Sequence, residues 1–180
     1  MIIPVKGEQK MNKIVSNKLS LIPMNLTDWG TYVTHVVEAE ELFIQYGIEP
    51  SDYLIECIQE PTENVLYYSI VSKDTGTMVG YIGITPENNN IEFYVFKEYR
   101  KQGYGAEAIS AFTKAYLDGT ISGKTEENVV AETLSDNSAS IALLEKLGYQ
   151  RQAVGIRMDF SDLDKSAIGL CVYSYPNVNS

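Results

Sequence analysis

A short segment with two glycines, residues 100–106, carries the clearest chemical signal in this chain. It reads Arg-Lys-Gln-Gly-Tyr-Gly-Ala and lies between an apolar run that ends near Phe96 and an amphipathic stretch that starts at Ala106. A glycine-containing junction between a strand and a helix presents free backbone N–H groups and the positive end of the helix dipole, which together bind anions. We expect the anion to be a phosphate. The spacing is neither that of a P-loop nor that of a dinucleotide-binding loop, because no Gly-Lys-Ser/Thr follows and only Gly103 and Gly105 are present.

A second segment of interest starts at Asn137 and reads Asn-Ser-Ala-Ser-Ile-Ala-Leu-Leu-Glu-Lys-Leu-Gly-Tyr. Asparagine is a favoured helix N-cap, and Gly148 stands where a C-cap glycine belongs. The apolar spacing predicts a helix that buries Ala139, Leu143 and Leu147. The sequence thus predicts two helices with polar or glycine-containing starts, one after the other along the chain.

Together the two segments resemble the cofactor-binding segments of the GCN5-related N-acetyltransferases, the GNAT superfamily. The first resembles the RxxGxG pyrophosphate-binding loop through Arg100, Gly103 and Gly105, and the second resembles an Asn-x-x-Ser helix that ends in Lys-x-Gly-aromatic. They occur in the expected order and at the expected distance. The resemblance covers roughly residues 18–160. Within the superfamily, the two segments are similar to those of the branch that acetylates N-terminal amines of ribosomal proteins.

The resemblance implies that acetyl-coenzyme A is the co-substrate. Its pyrophosphate would lie on the N–H groups at the start of the helix after the glycine loop, where Arg100 and Lys101 add positive charge. Its pantetheine arm would add to the edge of the fourth strand, which in this family carries a bulge and splays away from the fifth. A backbone N–H near Val95 would then stabilise the oxyanion. The cofactor-binding residues implied in this way are Phe93, Tyr94, Val95, Arg100, Lys101, Gln102, Gly103, Tyr104, Gly105, Ala106, Asn137 and Ser140.

Glu92 is the candidate general base. It is the only acid inside an otherwise apolar strand, and it resembles the strand-four glutamate of many GNAT proteins. An amine with a pKa of about 10 arrives protonated, so a carboxylate whose pKa is raised by partial burial can accept its proton directly or through water. A structural carboxylate paired with a neighbouring cation is the other interpretation.

Ser140 is the second candidate catalytic residue, because the resemblance places it near the sulfur of the co-substrate. Leu144 stands where many GNAT proteins carry a tyrosine that protonates the departing thiolate. A thiol with a pKa of about 8.5 is already a fair leaving group, so Ser140 or water would supply the proton. Asn137 has the simpler role of capping its helix, and this role is compatible with binding the pantetheine arm.

The expected reaction is direct attack of a primary amine on acetyl-coenzyme A in a ternary complex. Cys57 and Cys171 lie outside both cofactor segments and lack an adjacent histidine base, so neither indicates a covalent enzyme intermediate. The acceptor is a protein N-terminus of the ribosomal-protein type or, alternatively, a small molecule such as a polyamine. A non-catalytic module that binds acyl-coenzyme A is a further alternative, which the missing tyrosine mildly favours.

The composition narrows the classes of partner. The chain has 180 residues and a formal net charge of −10, which argues against nucleic acid and suits a cationic substrate. It shows neither a membrane-spanning run nor a signal-peptide layout, so we expect a cytoplasmic protein without a membrane partner. The two cysteines lack metal-ligand spacing and are expected to be free buried thiols. His35 has no second ligand nearby, so we expect a helix-face residue and no metal.

The hydrophobic pattern predicts the elements that position these residues. Strands are predicted at 19–24, 65–71, 78–84, 91–96, 128–134, 149–160 and 168–175. Helices are predicted from the capping residues Thr27 and Asp28 to about Tyr46, at 51–59, after the glycine loop to Gly119, and after Asn137. This order predicts a mixed α/β fold. The resemblance implies its GNAT form, with a mostly antiparallel sheet splayed between strands four and five and helices on both faces.

We expect a single domain at residues 18–175, with an arm or an added edge segment at 1–17 and a tail at 176–180. The helix after the glycine loop is expected to bury Ile109, Phe112 and Tyr116 against the sheet. The apolar run at 168–175 is a candidate for a strand exchanged between subunits or paired at the edge of a homodimer.

Overall fold

The computed structural model describes residues 12–38, 66–158 and 167–177. Its strands are β1 (Ile14–Val15), β2 (Leu19–Pro23), β3 (Leu66–Ser72), β4 (Met78–Thr85), β5 (Asn90–Val95), β6 (Asn128–Leu134), β7 (Gln150–Met158) and β8 (Ala167–Pro176). Its helices are α1 (Leu26–Glu38), α2 (Tyr104–Leu117) and α3 (Ser138–Lys146), with a 3-10 turn at Lys97–Tyr99. The predicted strands agree with these bounds to within about two residues. The predicted end of the first helix near Tyr46 and the second helix at 51–59 lie outside the described residues.

The strands form one mixed sheet in the order β1-β2-β3-β4-β5-β6-β8-β7. Every pair is antiparallel except β5 and β6, which run parallel. The parallel pairing has only two rungs, Asn90 with Val130 and Ile91 with Ala131. Beyond Ile91 and Ala131 the two strands no longer pair with each other, so the sheet opens between them. The predicted fold class is confirmed, with the splay between the strands predicted as the fourth and fifth.

The expected bulge in the fourth strand needs correction. The fourth predicted strand, β5, pairs with β4 in continuous register, and the register shifts of this sheet lie instead in the β3–β4 and β7–β8 pairings. Within the segment at 1–17, which was expected to be an arm or an added edge segment, β1 pairs with β2 at the sheet edge. A strand of two residues is too short to show an alternating hydrophobic pattern, so β1 can be identified only from its pairing with β2.

The last strand, β8, lies inside the sheet. It pairs with β6 on one edge and with β7 on the other. Both of its edges are therefore occupied within the chain. The predicted homodimer has no free edge of β8 to use.

The two faces of the sheet carry different layers. On one face α2 packs its apolar stripe, and Ile109, Phe112 and Tyr116 are all fully buried as predicted. On the other face α1 places Tyr32 against Tyr81 in a smaller cluster. Helices thus cover both faces, in agreement with the predicted fold.

The helix α3 is rotated relative to the predicted stripe. Leu144 is only 1% exposed and belongs to the main core, whereas Ala139 is exposed and Leu143 and Leu147 are half-buried. Successive residues differ by about 100° around a helix, so a rotation of one position moves the contact from Leu143 to Leu144. The predicted burial of Ala139 is wrong.

The start of α1 is set by Asn25 and not by the predicted caps. The Asn25 side chain accepts hydrogen bonds from the backbone N–H groups of Thr27 and Asp28, at 2.8 and 3.1 Å. In return, the Asp28 carboxylate accepts from the Asn25 N–H at 3.2 Å. This reciprocal arrangement is a capping box, and it ends β2 one residue earlier than predicted. Among the described residues, no helix has the length and apolar character needed to span a membrane.

Candidate functional site

The glycine loop connects the end of β5 to α2 and forms the start of that helix. Gly103 is the N-cap and has a φ of 87° in the left-handed region, which favours glycine. It offers no side chain to cap the helix, so the backbone N–H groups of the first turn are not bonded by a cap. These N–H groups and the dipole of the 14-residue helix have the arrangement that binds a phosphate.

Gly105 marks the place where three elements meet. A Cβ built on Gly105 would lie 3.5 Å from a methyl group of Val95 at the end of β5 and 3.7 Å from one of Leu143 in α3. These are ordinary van der Waals distances, so the folded chain itself leaves room for a methyl group. Gly105 therefore faces the cleft between the end of β5 and α3.

The open edge of β5 follows from the direction of its hydrogen bonds. Phe96 donates its N–H to Val79 of β4, whereas Asn89 accepts from Val130 of β6. Backbone groups in an extended strand alternate between its two edges, so the odd-numbered residues of β5 face β6. Beyond Ile91 this edge has no partner in β6. The backbone groups of residues 93 and 95 therefore point into the splay.

The side chain of Arg100 is directed back to the end of β5. Its Nε donates to the Val95 carbonyl at 3.0 Å, and its Nη2 donates to the Tyr94 hydroxyl at 2.9 Å. The guanidinium carbon also lies 5.2 Å from the centre of the Tyr94 ring. Arg100 thus brings its charge to the strand end, between the glycine loop and the face of the sheet that carries Tyr94.

The rest of the loop holds the other predicted residues in varied positions. Lys101 is exposed and has a φ of 61°, and the Gln102 side chain donates to the Glu98 carbonyl at 3.1 Å. Tyr104 points its hydroxyl to Ser72 of β3 at 3.3 Å. Ala106 lies half-buried in the first turn of α2. Their N–H groups belong to the loop, but the side chains of Gln102 and Tyr104 are engaged within the chain.

Asn137 and Ser140 lie at the start of α3, across the cleft from Gly105. Asn137 is the N-cap, and its side chain accepts from the Ser140 N–H at 3.1 Å, as its residue type predicts. Ser140 lies three residues before Leu143, about one helical turn, and therefore on the same side of the helix. Leu144 points into the core, so this position offers no proton donor to the cleft.

Glu92 lies at the mouth of the splay, on the face opposite α2. It is the first residue of β5 beyond the last parallel rung, and its neighbour Ile91 is buried on the α2 face. The side chain is open to solvent on one side, yet the protein around it partly buries the carboxylate, which raises the pKa of Glu92. A hydrogen bond with Tyr67 acts in the opposite direction and lowers this pKa.

Glu132 holds the matching position on β6. It follows Ala131, the partner of Ile91 in the last rung, and it is exposed. Residues paired across a sheet project from the same face, so Glu92 and Glu132 lie on one face at the two sides of the splay. The sequence analysis did not identify Glu132, because the register of two distant strands cannot be read from either strand alone.

An aromatic surface lies beside Glu92 on the α1 side, and Tyr94 is the one member of it that was predicted as part of the site. Its rings pack edge to face or stack with centroids 4.6 to 6.1 Å apart, in the pairs Trp29–Tyr32, Trp29–Tyr67, Tyr32–Tyr81, Tyr67–Tyr81 and Tyr81–Tyr94. The sequence signal was the alternate spacing within each strand, which places Glu92 and Tyr94 on one face. We call this surface the aromatic face.

Other residues singled out from the sequence have structural surroundings. His35 stacks on Phe96 at 3.8 Å and approaches Glu98 at 3.3 Å, which agrees with a helix-face role. Cys171 is a free buried thiol in β8, as predicted. Its Sγ accepts a hydrogen bond from Nη2 of Arg151 at 2.8 Å. Cys57 lies outside the described residues. Across residues 12–38, 66–158 and 167–177, no group of three or more His, Cys, Asp or Glu side chains is placed to hold a metal ion.

Comparison with known proteins identifies both a family and a fold. A family model described as an acetyltransferase (GNAT) domain matches residues 18–150. No curated protein sequence matches the chain.

Three solved structures illustrate the likeness in fold. RimL, a ribosomal L7/L12 alpha-N-protein acetyltransferase in complex with coenzyme A, has a TM-score of 0.64 and 16% identity over 92% of this chain and 98% of its own. Ribosomal-protein-S5-alanine acetyltransferase from Vibrio fischeri has a TM-score of 0.66 and 12% identity over 93% and 98%. The microcin C7 self-immunity acetyltransferase MccE, in complex with acetyl-CoA and AMP, has a TM-score of 0.64 and 18% identity over 90% and 94%. At such identities the likeness establishes the fold alone.

Proposed function

Because the chain belongs to the GNAT acetyltransferase family and is an acyltransferase, we propose that it transfers acetyl from acetyl-coenzyme A to a primary amine by direct attack. The observation that carries the proposal is the splay between β5 and β6, which has the anion-binding start of α2 at one side and Glu92 at its mouth. One opening thus joins a phosphate site to a candidate base.

The residues of the cleft fit acetyl-coenzyme A. The uncapped N–H groups from Gly103 onward would hold its pyrophosphate. The backbone groups of Phe93, which lie on the edge that β6 leaves open, would bond the pantetheine arm as an added strand. The Val95 carbonyl already accepts from Arg100, so its N–H is the group left to stabilise negative charge on the thioester oxygen. Ser140 and the Asn137 side chain would line the opposite wall.

In the proposed reaction the amine nitrogen bonds to the thioester carbonyl carbon, and the carbon–sulfur bond breaks. Glu92 accepts the proton that the amine must lose, directly or through one water. Its raised pKa suits this role, because a stronger base holds the proton more readily at neutral pH. Ser140 or water returns a proton to the sulfur, since the core position of Leu144 removes that residue from the cleft.

For the acceptor we propose the N-terminal amine of a peptide, of the ribosomal-protein type. Two structures with the same fold, RimL and the S5-alanine enzyme, carry that activity in their names. The exposure of Glu92 supports this choice, because a peptide needs an open approach to the base.

A small cationic amine is the second candidate acceptor. Glu132 favours it, because a second carboxylate on the face of Glu92 offers a partner for a second positive charge. The two candidates are separated by acetylation rates with a short peptide of free N-terminus and with an aliphatic diamine. A higher kcat/KM for the peptide supports the first, and a higher value for the diamine supports the second.

The co-substrate site is tested by thermal unfolding with acetyl-coenzyme A, desulfo-coenzyme A and ATP. A ligand at about one hundred times its Kd adds about 2.7 kcal/mol, which raises the Tm of a chain of this size by roughly 5–10 °C. We expect this shift with acetyl-coenzyme A and its desulfo analogue but not with ATP. A Tm unchanged by all three would remove the proposed site.

The proposed base is tested with Glu92→Gln. We expect kcat/KM for the amine to fall by about 10²-fold or more while the Kd for acetyl-coenzyme A changes little, because the carboxylate acts on the amine. A wild-type rate in the variant contradicts the role of Glu92. A wild-type protein that binds acetyl-coenzyme A and acetylates neither class of amine is instead a non-catalytic acyl-coenzyme A module.

A further inference from the structure

Tyr67, Gly83 and Glu92 form a single row across three strands. Tyr67 of β3 pairs with Gly83 of β4, and Gly83 pairs with Glu92 of β5. Paired residues project from the same face, so the row lies on the aromatic face of the sheet. The middle position of the row has no side chain.

Gly83 leaves the space that the Tyr67 ring occupies. A Cβ built on Gly83 would lie 2.5 Å from Cδ1 and 2.7 Å from Cε1 of Tyr67. Such distances are far below van der Waals contact, so the ring lies directly over the glycine. The ring therefore crosses β4 and points toward β5.

The phenol of Tyr67 ends at the carboxylate of Glu92. The two residues share a side-chain hydrogen bond, in which the phenol O–H donates to the carboxylate. The strands β3 and β5 lie about 10 Å apart, so a tyrosine lying flat over a glycine can span the distance. A residue with a Cβ at position 83 would keep the two groups apart.

The helix α1 holds the Tyr67 ring in this orientation. Trp29 contacts the ring edge to face with centroids 5.0 Å apart, and Tyr81 contacts it at 6.1 Å. The Tyr67 carbonyl also accepts from the N–H of Met24 at 3.0 Å, just before α1. The orientation of the phenol is thus fixed from both the sheet and the helix.

We propose that Tyr67 is the positioning residue of Glu92, holding the carboxylate toward the splay and favouring its ionised form, in the space that Gly83 provides. The inference rests on the proposed role of Glu92 as the base. Partial burial raises the pKa of Glu92, and the Tyr67 hydrogen bond limits that rise.

Within the described residues, other titratable or charged groups lie on the face of the sheet that carries Glu92 or beside the splay, and substitution of Tyr67 does not alter them chemically. They are Tyr32 and His35 of α1, Tyr81 of β4, Tyr94 of β5, Arg100 of the glycine loop and Glu132 of β6. A change in the titration of Glu92 after Tyr67→Phe is therefore assigned to the loss of the phenol hydroxyl, the one group that this substitution removes.

The test compares Tyr67→Phe with the wild type in two measurements. The first is the pH dependence of kcat/KM for amine acetylation, whose acid limb reports the ionisation of the base. The second is the titration of the Glu92 side-chain carboxyl by carbon-13 NMR in the protein without substrates, assigned with Glu92→Gln. We expect both midpoints to move to higher pH, by roughly one pH unit, because the ionised form loses its donor.

Two further variants isolate the cause. Gly83→Ala keeps the phenol but places a methyl group where the ring lies, so we expect it to raise the Glu92 midpoint as Tyr67→Phe does. Tyr116→Phe removes a buried phenol that donates to Asn89 at 2.7 Å, remote from the aromatic face. It should lower the Tm and leave the Glu92 midpoint unchanged.

The outcomes separate this proposal from the proposed function. A Glu92 midpoint that is the same in Tyr67→Phe and the wild type overturns the role of Tyr67, even in an active enzyme. A midpoint that rises in a protein that acetylates no amine supports the coupling of the two residues and overturns the proposed function instead.

Discussion

Gly103 and Gly105 lie in the same glycine loop, but backbone conformation constrains the first and the space in the cleft constrains the second. Gly103 has a φ of 87°, and no atom lies within 4 Å of a Cβ built on it, so its backbone conformation alone favours glycine. Gly105 has an ordinary helical position, and its Cβ would touch Val95 and Leu143 at normal distances. The fold therefore needs the first glycine. The space beside the second belongs to the cleft, where a ligand would compete with any side chain.

Alanine substitutions at these two positions are expected to have opposite effects on stability. Gly103→Ala should lower the free energy of unfolding by about 1 kcal/mol, because a left-handed φ strains a residue with a Cβ. Gly105→Ala should leave it unchanged or raise it by up to about 1 kcal/mol, because alanine favours the helix. Both should raise the Kd for acetyl-coenzyme A.

Urea unfolding and calorimetric titration measure the two quantities. A loss of stability in Gly105→Ala equal to that in Gly103→Ala would show that the fold, and not the ligand, requires the second glycine.

At the scale of the elements, Glu107 ties the N-terminal hairpin to α2. Its carboxylate accepts from the Ser16 hydroxyl and from the Lys18 N–H, each at 2.6 Å, in the turn between β1 and β2. It lies in the first turn of α2, where a negative charge is favoured by the helix dipole. The same helix start forms the candidate phosphate site. The hairpin therefore supports the element on which that site depends.

The contribution of this contact to stability depends on pH. Burial alone would raise the pKa of Glu107, but the hydrogen bonds from Ser16, Lys18 and Leu19 and the charge of Lys18 lower it below its ordinary value. A lowered folded-state pKa stabilises the protein above the unfolded-state pKa of about 4.3, and this stabilisation is lost as the pH falls through the folded-state pKa.

Glu107→Gln should therefore lower the free energy of unfolding by about 1 kcal/mol at pH 7, a modest value because the contact is partly solvated. The difference from the wild type should shrink as the pH falls below about 4. Urea unfolding at several pH values measures it, with Glu87→Gln in an exposed turn as the control. A difference that stays constant with pH would contradict the charge-dependent contact.

In the molecule as a whole, the features that could be predicted from the sequence are those set by residues close to one another along the chain. The glycine loop before α2, the Asn137 cap and the buried stripe of α2 all follow from local spacing, and the strand bounds follow from alternation. The site residues that join distant strands did not follow. The row from Tyr67 to Glu92 needs the register of three strands, which is fixed only when the sheet is assembled.

The net charge of −10 and the position of Glu132 bear on the choice of acceptor. If the acceptor is a diamine, Glu132→Gln should lower its kcat/KM by roughly two- to five-fold at low salt, which corresponds to an exposed charge pair. Added salt should reduce the wild-type value toward that of the variant, because salt screens exposed charges.

Steady-state kinetics at low and moderate salt with a diamine and a matched monoamine measure the effect. Glu127→Gln, an exposed carboxylate just before β6, provides the matched charge change away from the splay. Equal losses in the two variants would assign the effect to net charge and leave Glu132 without a specific role.

The position of β8 between β6 and β7 also affects how the chain reaches its fold during synthesis. The strand β6 is made well before β8, and its outer edge has no partner until residues 167–176 are available. An unpaired edge with apolar neighbours attracts other chains, and segments made earlier tend to collapse first. A nascent or shortened chain that lacks β8 would therefore expose an unpaired edge of β6, which can pair with strands of other chains.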